Sequence, residues 1–394
     1  MAISDLPLSY CTNVHPGRTV TEVLSGLHDF TVPAQQDLGV PVAAGLWLAR
    51  PVTQELLSTA DGVRRFADKL GELGLRCYTL NAFPYGDFHS ARVKEQVYLP
   101  DWTQVSRRQY TEDCARILAN LLPAGVEGSI STVPLGFKGF NHPVDFQMRC
   151  VNELLTLTRF LSKLHAETGR RIRLAIEPEP FCVLETIPET RQFFALLRAQ
   201  AEAAELRDDV DQYIGICFDV CHQAVEYEDI PTCFRLLGED RIRINKLHIT
   251  CALQLDRPAE NLVARQALAH YAEPRYLHQT IAPNGSGGQL RWIDLTRDMA
   301  LNPPAEFLHA ESWRIHFHVP VNAERVGPLS TTRPQLQQAL REIPALPYPP
   351  HLEVETYTWE VLPDAPPAAS ADRLIHGLSA ELRATRELIA SSSV

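Results

Sequence analysis

Residues 173–180, RLAIEPEP, run from a short apolar β-type stretch straight into Glu177, Pro178 and Glu179. The same transition recurs at 216–222, ICFDVCH, at 245–250, NKLHIT, and at 351–359, HLEVETYTW. A buried carboxylate is costly without a counter-charge, so a segment that stays apolar to its end and then turns acidic is hard to explain by packing. A divalent cation supplies that charge. Any one of these motifs also reads as surface acids at a strand end, but four in succession do not. If the four segments are parallel strands of one barrel, their C-terminal ends share a face, and residues far apart in sequence meet there.

Outward from these four, short β-branched runs alternate with longer helical patterns over most of the chain, the βαβα signature of a parallel sheet. The expected strands are Leu8–Asn13, Val42–Leu48, Arg76–Asn81, Ser129–Leu135, Arg173–Glu177, Ile214–Asp219, Ile244–Ile249 and Leu352–Glu355, with His316–Val321 a further extended piece. Between them, Val63, Phe66, Leu70 and Leu73 recur at helical spacing, as do Val151, Leu154, Leu155, Leu161 and Leu164 ahead of Gly169. Helices are also expected over about 187–205 and 370–390. The fold class expected is α/β, a (β/α)8 TIM barrel, with residues 1–394 forming one domain. The stretch from Asp256 to Val321 is too long for a simple strand-to-helix turn. It contains two extended pieces, Arg275–Thr280 and Ile315–Val321, and is expected to be an inserted hairpin region after the seventh strand, over about 256–321. Asn284–Gly288, Pro344–Pro350 and the biased segment Pro363–Ala371 read as loops.

With 394 residues, 45% of them hydrophobic, the chain can bury a large core. Its net charge of −11 repels phosphodiester backbones, so no nucleic-acid partner is expected. A small neutral substrate suits this surface better. The nine cysteines form no C-x-x-C pair and are odd in number, which reads as reduced thiols and a cytoplasmic location. The start MAISDLPLSY lacks a basic, then apolar, leader, and no run reaches the roughly 18 apolar residues of a membrane span, so no membrane insertion is expected.

The order and spacing of IEPEP, FDVCH, KLHIT and EVET resemble the last four strands of xylose-isomerase-like TIM barrels, a group that includes ketose 3-epimerases and, more distantly, endonuclease IV. The likeness spans roughly Arg173 to Thr356. It implies that Glu177, Asp219, His248 and Glu355 bind a metal and that His222 contacts substrate or metal. Three carboxylates and one imidazole suit Mn2+ or Mg2+ and do not exclude Zn2+, Co2+ or Fe2+. In the epimerase relatives two ligand glutamates exchange the substrate proton, which implies Glu177 and Glu355 as the catalytic pair, with His222 beside them. Strand alternation leaves Glu179 open in place of Glu177, and Glu353 in place of Glu355. Pro178 breaks the strand after Glu177, and Glu355 is the last acid before Thr356, Tyr357 and Trp359, which favours these two. Glu353 is expected to face the surrounding helices or an arginine.

Further substrate contacts are expected from His15, which follows the first strand, and from Tyr85, His89 and Lys94 in the aromatic stretch Asn81–Trp102. His316 and His318 share a face if their segment is a strand, and they are expected to add a second metal or hold a substrate oxygen. Glu311, His278 and Gln279 are weaker candidates of the same kind. Cys221, between Asp219 and His222, reads as packing. The function expected is a metal-dependent isomerase or epimerase of a sugar, cyclitol or related hydroxy-carbonyl metabolite. The alternatives are a barrel that binds such a metabolite without turning it over and an endonuclease-like phosphodiester hydrolase, which the acidic balance disfavours.

Overall fold

Eight short strands, almost wholly buried, close into a parallel barrel in the computed structural model, which describes residues 6–285, 287–363 and 371–392. In chain order the strands are β1 (Ser9–Cys11), β2 (Ala43–Trp47), β3 (Thr79–Asn81), β4 (Gly128–Thr132), β5 (Ile172–Ile176), β6 (Ile214–Asp219), β7 (Ile244–Ile249), β8 (Cys251–Asp256), β9 (Thr280–Pro283), β10 (Gln289–Trp292), β11 (Ser312–Val319), β12 (Arg325–Val326), β13 (Leu329–Thr331) and β14 (His351–Val354). The barrel runs β1-β14-β7-β6-β5-β4-β3-β2, every pair parallel. Helices cover its outside, so its strands read as apolar runs instead of alternating. All eight expected barrel strands are found: Ile214–Asp219 and Ile244–Ile249 with the expected bounds, the fifth and eighth shifted by one residue, and the first four shorter than expected.

Local signals explain the helices. Phe146–Thr168 ends where Gly169 takes φ 68, a left-handed conformation open to glycine, and its N–H closes the last turn on His165 O at 2.8 Å. Ile187–Ala203 starts at Thr186, whose hydroxyl accepts from Glu189 N while the Glu189 side chain accepts from Thr186 N, a reciprocal cap. The C-terminal helix, Ala371–Ser392, docks through Glu381, which accepts hydrogen bonds from Val321 N, Thr356 Oγ1 and Trp359 Nε1. Pro363–Ala371 lies outside the described residues except for its two ends. No helix of the described residues is long and apolar enough to cross a membrane.

The region after the seventh strand is larger than the hairpin expected. β7 passes through Thr250 into β8, and β8 belongs to a second, antiparallel sheet of order β10-β9-β11-β8-β13-β12. The added sheet thus spans Cys251 to Thr331. Of the expected piece Arg275–Thr280, only Thr280 is in a strand, whereas Ile315–Val321 lies mostly in β11. Pairing of β11 with β8 slips between Ile315 and Val319, a bulge that contains His316 and His318. Bulges re-aim side chains at sites of this kind.

Candidate metal centre

β14, β7, β6 and β5 are consecutive neighbours around the barrel, and each delivers one side chain to the same rim. Glu355 follows β14, His248 lies in β7, Asp219 ends β6, and Glu177 follows β5. Their donor atoms all lie within 4.8 Å of one another, and all four residues are buried. His248 Nδ1 is 3.0 Å from Glu177 Oε1, 3.0 Å from Glu355 Oε2 and 3.4 Å from Asp219 Oδ2. A single N–H serves one acceptor, so three carboxylates on one ring bring more negative charge than the imidazole neutralises. Glu177 Oε2 and Asp219 Oδ2 are buried with no hydrogen-bond partner. An oxygen-rich set with one imidazole fits a divalent cation.

The titration tendencies follow from this crowding. Burial and neighbouring carboxylates push Glu177 up to about 7, although His248 opposes them. Burial also raises Glu355, but His248 outweighs it and holds the carboxyl at about 2. Burial works against a charged His248, yet Cys217, Glu355 and Glu177 together lift its pKa well above the usual value.

Support comes from beneath. Glu353 pairs in register with His248, and its Oε1 lies 3.3 Å from His248 Nε2 and 2.6 Å from Lys246 Nζ. The expectation that Glu353 faces the helices or an arginine is therefore corrected: it sits inside the barrel against a lysine. Residues two apart on a strand face the same way, so Glu353 occupies the layer below Glu355. Asn13 and Asn81 each donate to Glu355 Oε1 at 2.8 Å. The sequence reading missed Asn13, Asn81 and Lys246. The available signal was a polar residue at the end of β3 and a lysine within the apolar β7.

Three histidines form a second group beside the first. His222 Nε2 is 3.1 Å from His316 Nε2, which is 3.3 Å from His318 Nε2. Each Nδ1 faces an oxygen that can only accept: Pro178 O at 3.0 Å from His222, Gln279 Oε1 at 2.7 Å from His316, and Glu355 O at 2.8 Å from His318. Each Nδ1 therefore carries the proton, and each Nε2 presents a lone pair to the others. With the rings neutral, such a trio takes up a cation or a donated hydroxyl hydrogen. Asp219 lies 3.9 Å from His222 and joins His222 and His318 in a further set able to hold a metal.

The pocket above these groups admits some expected contacts and leaves out others. Glu179, His222, His316, His318 and Lys94 line it. Glu179 takes a hydrogen bond from Tyr98 Oη at 2.7 Å, and it is a pocket residue in addition to Glu177, not in its place. His15, Tyr85 and His89 are not among the lining residues. His15 is stacked on Phe30 and bonded to Tyr10, Tyr85 packs on Tyr110, and His89 packs on Trp47. Of the weaker candidates, Gln279 orients His316, and His278 is bonded to Glu273 and His316 O. Glu311 lines a separate surface cavity, and Cys221 is buried.

A closed eight-stranded parallel barrel with helices outside is the TIM-barrel fold, and comparison of the coordinates finds the same fold in solved structures. A xylose isomerase-like TIM barrel protein from Mycobacterium smegmatis in complex with magnesium matches at TM-score 0.51 and 10% identity, over 97% of this chain and 99% of that one. The IOLI protein with a binding zinc atom matches at TM-score 0.50 and 11% identity, over 98% and 99%. No family model and no curated protein matches the sequence.

Proposed function

We propose that this chain is a metal-dependent isomerase or epimerase of a sugar, cyclitol or related hydroxy-carbonyl metabolite. The reading is carried by Glu177, Asp219, His248 and Glu355, which converge from four adjacent strands with donor atoms within 4.8 Å. The two similar structures hold magnesium and zinc, which supports a divalent cation here. These four side chains would hold Mn2+ or Mg2+, with Zn2+, Co2+ or Fe2+ also compatible, and the cation would supply Lewis-acid polarisation of a substrate carbonyl.

Glu177 and Glu355 stand at the two ends of the four-strand arc and so flank a substrate seated over it. One takes the proton from the carbon beside the carbonyl. The C–H electron pair forms the new C=C bond of an enediolate, and the other, protonated, returns a proton to carbon. Return to the opposite face epimerises that carbon; return to the former carbonyl carbon isomerises the substrate, with the O–H proton of the hydroxyl that becomes the new carbonyl passing to the former carbonyl oxygen. His222 accepts a hydrogen bond from a substrate hydroxyl through its Nε2 lone pair. Asn13 and Asn81 hold Glu355 in place.

The stretches SYCTNVHPG (9–17), NAFPYGDFH (81–89), VKEQVYLPDW (93–102) and HFHVPV (316–321) are similar to those of EboE, a barrel protein of a bacterial gene cluster linked to secondary-metabolite traffic. This supports a role in the biosynthesis or traffic of such a metabolite, and the nine free, buried cysteines support a cytoplasmic location. The test is exchange in D2O. The Mn2+-loaded protein is incubated with a panel of ketoses and cyclitol ketones, and deuterium at the carbon beside the carbonyl is read by NMR. Incorporation into at least one is expected. Tight binding without incorporation would instead favour a barrel that only carries its ligand.

A further inference from the structure

The wall of the pocket has a chemistry that the proposed proton transfer does not use. Among the described residues lining it there is one lysine, Lys94, and no arginine. An ammonium has three N–H groups. Those of Lys94 have Tyr276 O at 2.6 Å, Asp294 Oδ2 at 2.8 Å and Glu273 O at 3.0 Å, so the cation is already saturated by the protein. Two of the three tyrosine hydroxyls of the wall, those of Tyr98 and Tyr276, are committed as well. Tyr98 donates to Glu179 and accepts from Gln279 Nε2 at 3.0 Å, and Tyr276 donates to Phe88 O at 3.1 Å.

What this side offers a ligand is mainly carbon. Phe88, Tyr276 and Tyr357 pack together, with ring centroids 4.9 Å apart for Phe88–Tyr276, 5.3 Å for Phe88–Tyr357 and 4.9 Å for Tyr276–Tyr357. Glu177, Glu179 and Glu355 line the same pocket. A phosphate or carboxylate entering here meets a floor whose three ligand carboxylates outweigh the charge of a divalent cation held among them, and no available cation from the wall. A second polar end would meet the Tyr357 hydroxyl alone and bury its other hydrogen-bonding groups against ring faces that cannot answer them.

We infer that the substrate is uncharged, carrying neither phosphate nor carboxylate, and that its end away from the hydroxy-carbonyl group is an alkyl or aryl substituent seated on Phe88, Tyr276 and Tyr357. Only the hydroxy-carbonyl end rests on the proposed function. The preference of the wall is separately testable.

Calorimetric titration of the Mn2+-loaded protein compares a ketose in three forms: unsubstituted, phosphorylated on its terminal hydroxyl, and phenyl-substituted there. The matching polyols, which lack the carbonyl, form a parallel series. The phenyl form is expected to bind at least about tenfold tighter than the unsubstituted one, the effect of burying roughly 60 Å² of apolar surface, and the phosphorylated form to bind more weakly than either. Phe88→Ala, or Phe88→Leu should the first not fold, is expected to erase most of the phenyl advantage, read as the ratio of phenyl to unsubstituted affinity within the same variant. A phosphorylated form that binds as tightly as the phenyl form overturns the inference. So does a phenyl form without advantage in both series, or one that fails to bind at millimolar concentration. Polyols that match ketoses while the phenyl advantage persists would defeat the hydroxy-carbonyl reading and leave this one standing.

Discussion

Glu355 has the most constrained environment of any residue in the centre: two amides donate to one of its oxygens, and His248 faces the other. Replacing it by Gln keeps size and shape but removes the proton acceptor. For Glu355→Gln, turnover is expected to fall about 10²–10⁴-fold, with ligand binding retained, as measured by deuterium exchange beside calorimetry. One layer down, burial disfavours the Glu353 charge, but Lys246 and His248 outweigh it and hold the carboxyl below its ordinary pKa. Removing one partner strands the other. Lys246→Met is expected to cost about 3–5 kcal/mol in chemical denaturation. A loss below about 1 kcal/mol would show that the pair is not the buried ion pair described. Gly45 is part of the same layer, since a Cβ there would overlap the Glu353 carboxylate and crowd Tyr10 O. Ala is not accommodated at that position without moving Glu353 away from Lys246.

At the scale of elements, the ends of β4 and β5 away from the site are tied by charge. Glu127, just before β4, pairs with Arg173 Nε at 2.9 Å and Arg171 Nη1 at 2.5 Å. Burial raises its pKa, but the two guanidiniums outweigh this and hold it at about 2, below the ordinary carboxylate value. A depressed folded-state value stabilises the fold above the unfolded pKa, and the gain is lost as pH falls through about 2. Glu127→Gln is therefore expected to melt below the parent at neutral pH, with the gap closing between about pH 4.5 and 2. The Glu127 side chain is 36% exposed, so screening limits the effect to about 1 kcal/mol or less, and added salt should shrink it. A gap that widens on acidification would contradict the assignment. Elements were also where reading the chain went furthest. The four apolar runs ending in acids or histidine became β5, β6, β7 and β14, because a strand buried on both faces leaves its mark in consecutive residues. The second sheet was not legible in that way: β8, β9 and β11 pair across gaps of tens of residues, and no local pattern specifies such pairing.

For the whole molecule, three carboxylates gathered around one imidazole mean that a cation binding the folded state stabilises it. Mn2+ at a hundred times its Kd is expected to add about 2.7 kcal/mol, seen in calorimetry as a higher melting temperature that EDTA reverses. Asp219→Asn should abolish most of that shift. An equal shift in the variant would place the cation elsewhere. The sequence by itself determined the parallel barrel, written in short apolar runs whose ends such a barrel necessarily brings together; those runs placed Glu177, Asp219, His248 and Glu355 on one rim but left Glu179 and Glu353 open beside them, and the family resemblance singled out the four. Only the tertiary structure decided that Glu353 lies beneath Glu355 against Lys246, that the ammonium of Lys94 is consumed by Glu273, Tyr276 and Asp294, and that a bulged strand from an added sheet returns His316 and His318 to His222. Those outcomes depend on which distant groups satisfy one another once water is excluded, and spacing along the chain carries no record of that.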